Sequence, residues 1–129
     1  MSAIHLTLLF AGLCALLQCA LTALVIARRL QARVSLMDGD DKPLLRRIRA
    51  HGNFTETVPM ALILIGLLEL RGLEPAWLWT LGIGLLLGRV LHAVGLLVNG
   101  ARWIRLVGMT MTLAVLSIGG VLCVGMFLR

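Results

Sequence analysis

The sequence predicts an all-α integral membrane protein, a four-transmembrane-helix bundle forming a single domain over residues 1–129. Three observations lead there. Hydrophobic residues make up 60% of the chain and charged ones 14%, too few polar side chains to cover a soluble domain of this size. The apolar residues fall into four stretches, each near the roughly 20 residues a helix needs to cross the hydrocarbon. The charged residues gather between the stretches. Four spans consume about 80 positions, which leaves no room for a separate soluble domain.

The first span is expected over about residues 5–27, which carry no Asp, Glu, Lys or Arg. A secretory signal places positive charge before its apolar stretch. Here Arg28 and Arg29 follow it, so the segment is expected to remain as a membrane helix. Ala11, Ala15, Cys19, Ala23 and Ala27 recur every four positions and form a small-residue stripe that lets a neighbouring helix approach closely. A polar connection follows. Its run Asp38-Gly39-Asp40-Asp41 starts like a calcium loop but lacks the later ligands and closing Glu, and reads as a solvated turn.

Pro43 suits the first turn of the second helix, expected over about 44–70. A short turn, Arg71-Gly72-Leu73-Glu74-Pro75, leads to Trp77 and Trp79, placed as an interfacial belt. The third helix, about 77–98, carries Gly84 and Gly88 in a GxxxG arrangement, and Asn99-Gly100 supplies its stop. The fourth helix covers about 103–128.

The net charge is +6, from 12 Lys+Arg against 6 Asp+Glu. The basic residues flank apolar spans, so topology and anionic headgroups account for them, not nucleic acid. Arg28, Arg29, Arg33, Lys42, Arg46, Arg47, Arg49, Arg102 and Arg105 fall on one side of the membrane, and only Arg71 and Arg129 on the other. The positive-inside rule then puts the basic turns in the cytoplasm and both termini outside. Cys14, Cys19 and Cys123 lie in apolar segments without paired spacing and read as free thiols. His5, His51 and His92 lack metal-ligand spacing, so no metal is expected.

Polar residues inside membrane helices are costly and usually functional. Arg49, Asn53, Glu56 and Met60 share a stripe of the second helix, with Arg46 a turn earlier. Glu56 falls roughly 6 Å inside its span, His92 about 9 Å and Arg89 about 14 Å. Arg89 and His92, three apart, share a face of the third helix. Two readings are open. Glu56, Arg89 and His92 form a structural polar cluster, or the polar groups converge as a site. Guanidiniums bind carboxylates bidentately and a carboxylate holds an ammonium group. A site would therefore take a soluble ligand bearing carboxylates and an amine, met by a lipophilic second reactant from the bilayer.

The run RIRAHGNFTETVP resembles the R-x-x-x-N-x-x-E-x-x-P signature of the MAPEG family, membrane-associated proteins of eicosanoid and glutathione metabolism. Ala27-Arg28-Arg29 with Arg33-Val34-Ser35, the Arg89/His92 pair, and Arg105-Leu106 match further family motifs in order. The closest type is the small bacterial branch. The resemblance implies a four-helix bundle assembling as a homotrimer in a bacterial inner membrane, with glutathione as co-substrate between subunits near the cytoplasmic face. Carried over, Arg28, Arg49, Asn53 and Glu56 hold glutathione, with His92 among the binding residues. Arg29 and Arg105 stand near the thiol as the catalytic pair, and Arg89 is a structural polar residue. The implied activity is transferase- or peroxidase-type: a thiol activated at the cytoplasmic side attacks a lipophilic electrophile. Thr57 stands where the family usually has Tyr, His92 and Leu96 replace third-helix tyrosines, and the chain has no tyrosine. A non-catalytic binding or scaffold protein of the same fold is therefore the alternative. A small four-helix transporter is the other, although such exporters carry their essential Glu in the first helix, which here has none.

The topology is tested by placing a cysteine at Asp40 in a chain whose native cysteines are replaced. An impermeant thiol reagent is expected to reach it only from the cytoplasmic side. Labelling from the outer face reverses the assignment.

Overall fold

The computed structural model describes residues 4–98 and 101–128, so Asn99-Gly100, expected as the third helix's stop, lies outside the described residues. Four helices make up the fold: α1 (His5–Ala32), α2 (Lys42–Leu70), α3 (Pro75–Leu97) and α4 (Arg102–Phe127). All four are long and apolar enough to cross a membrane. Connections are short, and successive helices run antiparallel. The start of α1 meets the end of α2 through Leu6 and Thr7 against Glu69, and the end of α1 meets the start of α2 through Arg28 and Asp41. α3 and α4 share the most extensive interface, while α1 lies on α2 and α3, away from α4.

Three of the helices begin and end within two residues of the expected bounds. α1 does not: it continues five residues past Ala27 to Ala32. Arg28, Arg29, Leu30 and Gln31 are good helix formers, and leaving the hydrocarbon is no reason for a helix to stop. Its 28 residues rise about 42 Å, enough to reach through the headgroup region. The helix ends where Arg33 turns left-handed (φ 55°) and the Val34 N–H bonds back to the Arg29 carbonyl at 3.1 Å. α2 opens on Asp41, whose carboxylate accepts from the Leu44 N–H at 2.7 Å, with Pro43 in the first turn, an N-cap of the ordinary kind.

The N-terminus of α1 has no cap of its own, since Ile4 contributes no side-chain bond. Glu69 of α2 takes that role from across the bundle, accepting the Leu6 and Thr7 N–H groups at 2.8 and 2.7 Å. A carboxylate at a helix N-terminus satisfies orphan donors and complements the dipole. Nearby, the Phe10 ring meets Trp79 edge-on (centroids 5.6 Å apart) and occupies the space that the missing Cβ of Gly82 leaves open.

The core is a narrow seam. Leu44, Ala61, Ile65, Leu68 and Leu85 are fully buried on α2 and α3, with Cys14 and Leu21 from α1 and Val115 from α4 closing it. The three cysteines are free. The Gly84–Gly88 notch is consumed inside the protomer. Val115 sits over Gly84, and Gly88 faces Gly108 and Thr112 of α4. The α1 stripe behaves differently: Ala15, Cys19, Ala23 and Ala27 are exposed, and α1 packs inward through Phe10, Cys14 and Leu21 instead.

The α3–α4 contact is so close that a Cβ at Gly108 would collide with the backbone of His92 and the Gly88 carbonyl. Backbone cannot yield as a side chain can. Gly108→Ala is expected to lower stability by about 1–3 kcal/mol, read as an earlier thermal transition in detergent, whereas Gly120→Ala, with open space around it, leaves melting unchanged.

Candidate functional site

Arg89 is the largest of the fully buried side chains among the described residues, 2% exposed, and it lies in the middle of a membrane helix. Its five N–H donors all find acceptors. Nε donates to Thr112 Oγ1 at 2.8 Å. Nη1 donates to Asn53 Oδ1 and to Thr57 Oγ1 at 3.2 Å. Nη2 donates to the Gly108 carbonyl at 3.4 Å and to the Met109 sulfur at 3.9 Å. The guanidinium therefore ties α3 to α2 and α4 at once, through neutral acceptors alone.

One of the two open readings, a cluster of Glu56 with Arg89 and His92, does not form within the protomer: Glu56 is exposed and bonds to neither residue. The reason is angular. Ala50, Phe54, Val58, Ala61, Ile65 and Leu68 define the buried face of α2. At 100° per residue, Thr57 lies close to that face, Asn53 at its margin, and Glu56 roughly 150° around from its centre. The matched depth of Glu56 and His92 brought them to one level of the membrane but to different sides of α2.

Above Arg89, toward the basic end, the helices part. Arg49 and Asn53 from α2, His92 and Leu96 from α3, and Arg105 from α4 line a pocket of about 190 Å³. A second space of about 260 Å³ adjoins it through the shared Leu96 and Arg105 and adds Arg46 and Arg102. Together the two spaces come within the size range of small-molecule sites. Gly95 makes this geometry possible, since a Cβ there would sit on the backbone of Arg105. His92 is 7% exposed, and its ring nitrogens have no hydrogen-bond partner among the described residues. Thr7 Oγ1 is the one buried polar side-chain atom there without a partner, so the imidazole nitrogens open into the pocket.

Four of the expected site residues thus converge: Arg49, Asn53, His92 and Arg105. Three do not. Arg28 is held by Asp41, with Nη2 to Oδ2 at 2.7 Å and Nε to Oδ1 at 3.0 Å. Arg29 braces the α1–α2 connection, donating to the Met37 carbonyl at 2.8 Å and the Ser35 carbonyl at 3.4 Å. Both belong to α1, which does not reach α4, so neither joins Arg105 within a protomer. Glu56 lies outside the pocket, on the lateral surface. The turn Asp38–Asp41 is structural: Asp40 and Gly39 adopt left-handed backbone, and Asp41 both caps α2 and pairs with Arg28. Thr57 and Thr112, which hold Arg89 beneath the pocket, and Arg102, which lines the adjoining space, were given no site role by the sequence. Thr112 reads there as a lone hydroxyl in an apolar span, a pattern too ordinary to single it out.

Fold and site together define a polytopic membrane protein, a four-helix bundle whose guanidinium-lined pocket opens at its basic end and suits an anionic ligand. The chain belongs to the MAPEG family, whose family model matches residues 7–125. It is 38% identical over 97 residues to the inner membrane protein YecN of Escherichia coli K12, covering 75% of this chain and 74% of that protein. The YecN protein of Escherichia coli O6:H1 matches to the same extent. No solved structure matches the chain.

The Arg28–Asp41 bridge makes stability depend on acid. The guanidinium hydrogen bond, with the Leu44 N–H, holds the Asp41 carboxyl below its ordinary value. A carboxyl with a lowered folded pKa stabilises above its unfolded pKa, about 3.9, and loses that contribution as pH falls through the folded value. Wild type is expected to melt later than Asp41→Asn at pH 7, and the gap to close below about pH 4. A gap that persists unchanged at pH 3 removes the ion pair as its cause.

Proposed function

We propose that this protein is a membrane-bound, glutathione-dependent enzyme of transferase or peroxidase type. The reading rests on one observation above the rest: Arg49, Asn53, His92 and Arg105 line one pocket at the basic end of the bundle. Glutathione carries two carboxylates, an ammonium group and a thiol, and arrives from water. Guanidiniums suit the carboxylates, and an opening at the basic end of the bundle suits a ligand that arrives from water. Membership of a family of eicosanoid and glutathione metabolism supports the same ligand.

A thiol titrates near 8.5, and its thiolate is the nucleophile. A neighbouring guanidinium lowers such a value by one to three units, and two units correspond to about 2.7 kcal/mol. Arg105 supplies that charge from within the protomer. The sulfur then bonds to an electrophilic carbon, expelling its leaving group or adding across an activated double bond. Alternatively it attacks the outer oxygen of a lipid hydroperoxide, breaking the O–O bond to release the alcohol. That leaves a glutathione sulfenic acid, which a second glutathione converts to the disulfide and water. Arg28, Arg29 and Glu56 fit the same ligand only when a neighbouring copy brings them to the pocket. We accordingly infer a homotrimer, with the exposed stripe of α1 available for close helix contact. The basic turns face the cytoplasm, both termini lie outside, and the membrane is the bacterial inner membrane.

A second reading, glutathione binding without turnover, is favoured by the absence of tyrosine from the chain, since no phenol can donate to the thiolate. Purified protein in lipid, assayed for glutathione conjugation and hydroperoxide reduction, separates the two. Turnover supports the enzyme, and tight binding without turnover supports the binder. Glu56→Gln is expected to weaken glutathione roughly ten- to a hundredfold, the cost of about 1.5–3 kcal/mol for a lost charge-assisted contact. Its melting should stay unchanged, because the exposed carboxylate makes no bond inside the protomer. Unaltered affinity removes Glu56 from the site.

A further inference from the structure

Asn53 touches both the buried guanidinium and the pocket. Its Oδ1 accepts from Arg89 Nη1, and its side chain forms part of the pocket wall. A guanidinium has donors only, so the amide cannot be turned the other way round without setting N–H against N–H. The Nδ2 group is therefore directed away from Arg89. Among the described residues it has no acceptor, and it is not a sealed polar atom, because Thr7 Oγ1 is the one buried side-chain atom left unpaired there. It opens into the pocket.

We infer that Arg89 is a positioning residue: by gripping Asn53 Oδ1 from the protein interior, it fixes the Asn53 amide so that the pocket offers an N–H donor to a carboxylate or carbonyl oxygen of the ligand. Arg89 itself does not line the pocket. It acts through Asn53, and its own orientation is set by Thr112 and the Gly108 carbonyl on α4. The pocket thereby gains a directional donor among point-like charges, and a selectivity for acceptor oxygens that arginines on flexible stems do not supply. The identity of the ligand as glutathione rests on the proposed function. The grip on the amide does not.

The ligand-free test is the side-chain amide of Asn53 in the full-length protein in detergent, its ¹⁵N-bound protons assigned by their loss in Asn53→Ala. The two protons stay distinct in every variant, because rotation about the amide C–N bond is slow, so the readout is the mobility of the group as a whole. In wild type its ¹⁵N relaxation should be that of a rigid side chain, and in Arg89→Lys, whose single ammonium cannot hold Thr112 and Asn53 together, that of a mobile one. Relaxation of these signals identical in the two proteins overturns the inference whatever the ligand is. The binding test is a cycle with glutathione as probe. Arg89→Lys is expected to weaken binding about fivefold or more in the wild-type background and to add almost nothing in Asn53→Ala, while the loss of melting temperature persists in both. A loss of affinity equal in both backgrounds makes Arg89 merely structural and overturns the inference. Asn53→Asp guards against misreading a folding defect. Its carboxylate should pair with Arg89 and keep melting at or above wild type, yet turn an acceptor toward the ligand and weaken glutathione at least tenfold. Asn53→Asp that melts normally and binds as wild type overturns the inference. If wild type itself binds no glutathione, the glutathione reading falls, and the amide signals alone decide for or against the role of Arg89.

Discussion

A guanidinium sealed among membrane helices is the constraint from which the rest of this structure follows. Charge at that depth is tolerated only when every polar atom is satisfied within the protein, and Arg89 meets the condition with oxygens from α2 and α4 and one sulfur. Each acceptor fixes something. Asn53 and Thr57, four residues apart, set the rotation of α2. Thr112 and the Gly108 carbonyl set the rotation and height of α4. Slide either helix by one residue and the fork loses its partners while keeping its charge. An arginine with no carboxylate beside it is a stricter register device than an ion pair, because neutral acceptors bind it only in the correct directions.

That grip demands close approach, and the glycines supply it. Gly88, Gly95 and Gly108 bring α3 and α4 nearly backbone to backbone, which lets the Thr112 hydroxyl and the Gly108 carbonyl reach a side chain rooted on α3. Helix association in lipid relies on such contact, because water gives no hydrophobic push there. The same closeness persists to Gly95 against the Arg105 backbone, and the pocket opens beside that contact, where α2 stands off from α3 and α4. The pocket forms where tight packing gives way to mutually repelling cations, directly over the residue that locks the bundle. A ligand carrying carboxylates relieves that repulsion, so fold and pocket favour the same class of molecule.

The helices were legible because the hydrocarbon imposes a length that composition must meet. The one misplaced end, that of α1, lay outside the hydrocarbon, where length is no longer dictated and Arg33 closes the helix instead. The site was legible in part. Arg49, Asn53 and His92 stood out as polar groups near one face of the membrane and Arg105 through the family resemblance, but the same level also gathered Arg28, Arg29 and Glu56, which the protomer keeps apart from the pocket. The partners of Arg89 were not legible, because opposite charge offered Glu56 as one candidate, whereas rotation about the α2 axis decides contact and presents Asn53 and Thr57. Thr112 went unremarked because a hydroxyl in an apolar span is unremarkable until something charged is found against it.

The residues that the fold leaves without work are as informative as those it uses. Among the described residues the buried Arg89 is satisfied and the glycine notch of α3 is filled, yet Glu56 and the α1 stripe are turned outward. A carboxylate on the lateral surface of a membrane bundle, roughly 6 Å inside its span, faces a medium that solvates it poorly. The exposed small-residue stripe supplies a surface on which a second bundle can seat closely, and α1 is the helix that carries Arg28 and Arg29 away from its own pocket. Docking of α1 against a neighbouring copy would cover that stripe and, as the proposed homotrimer requires, carry Arg28 and Arg29 toward the pocket of Arg49 and Arg105.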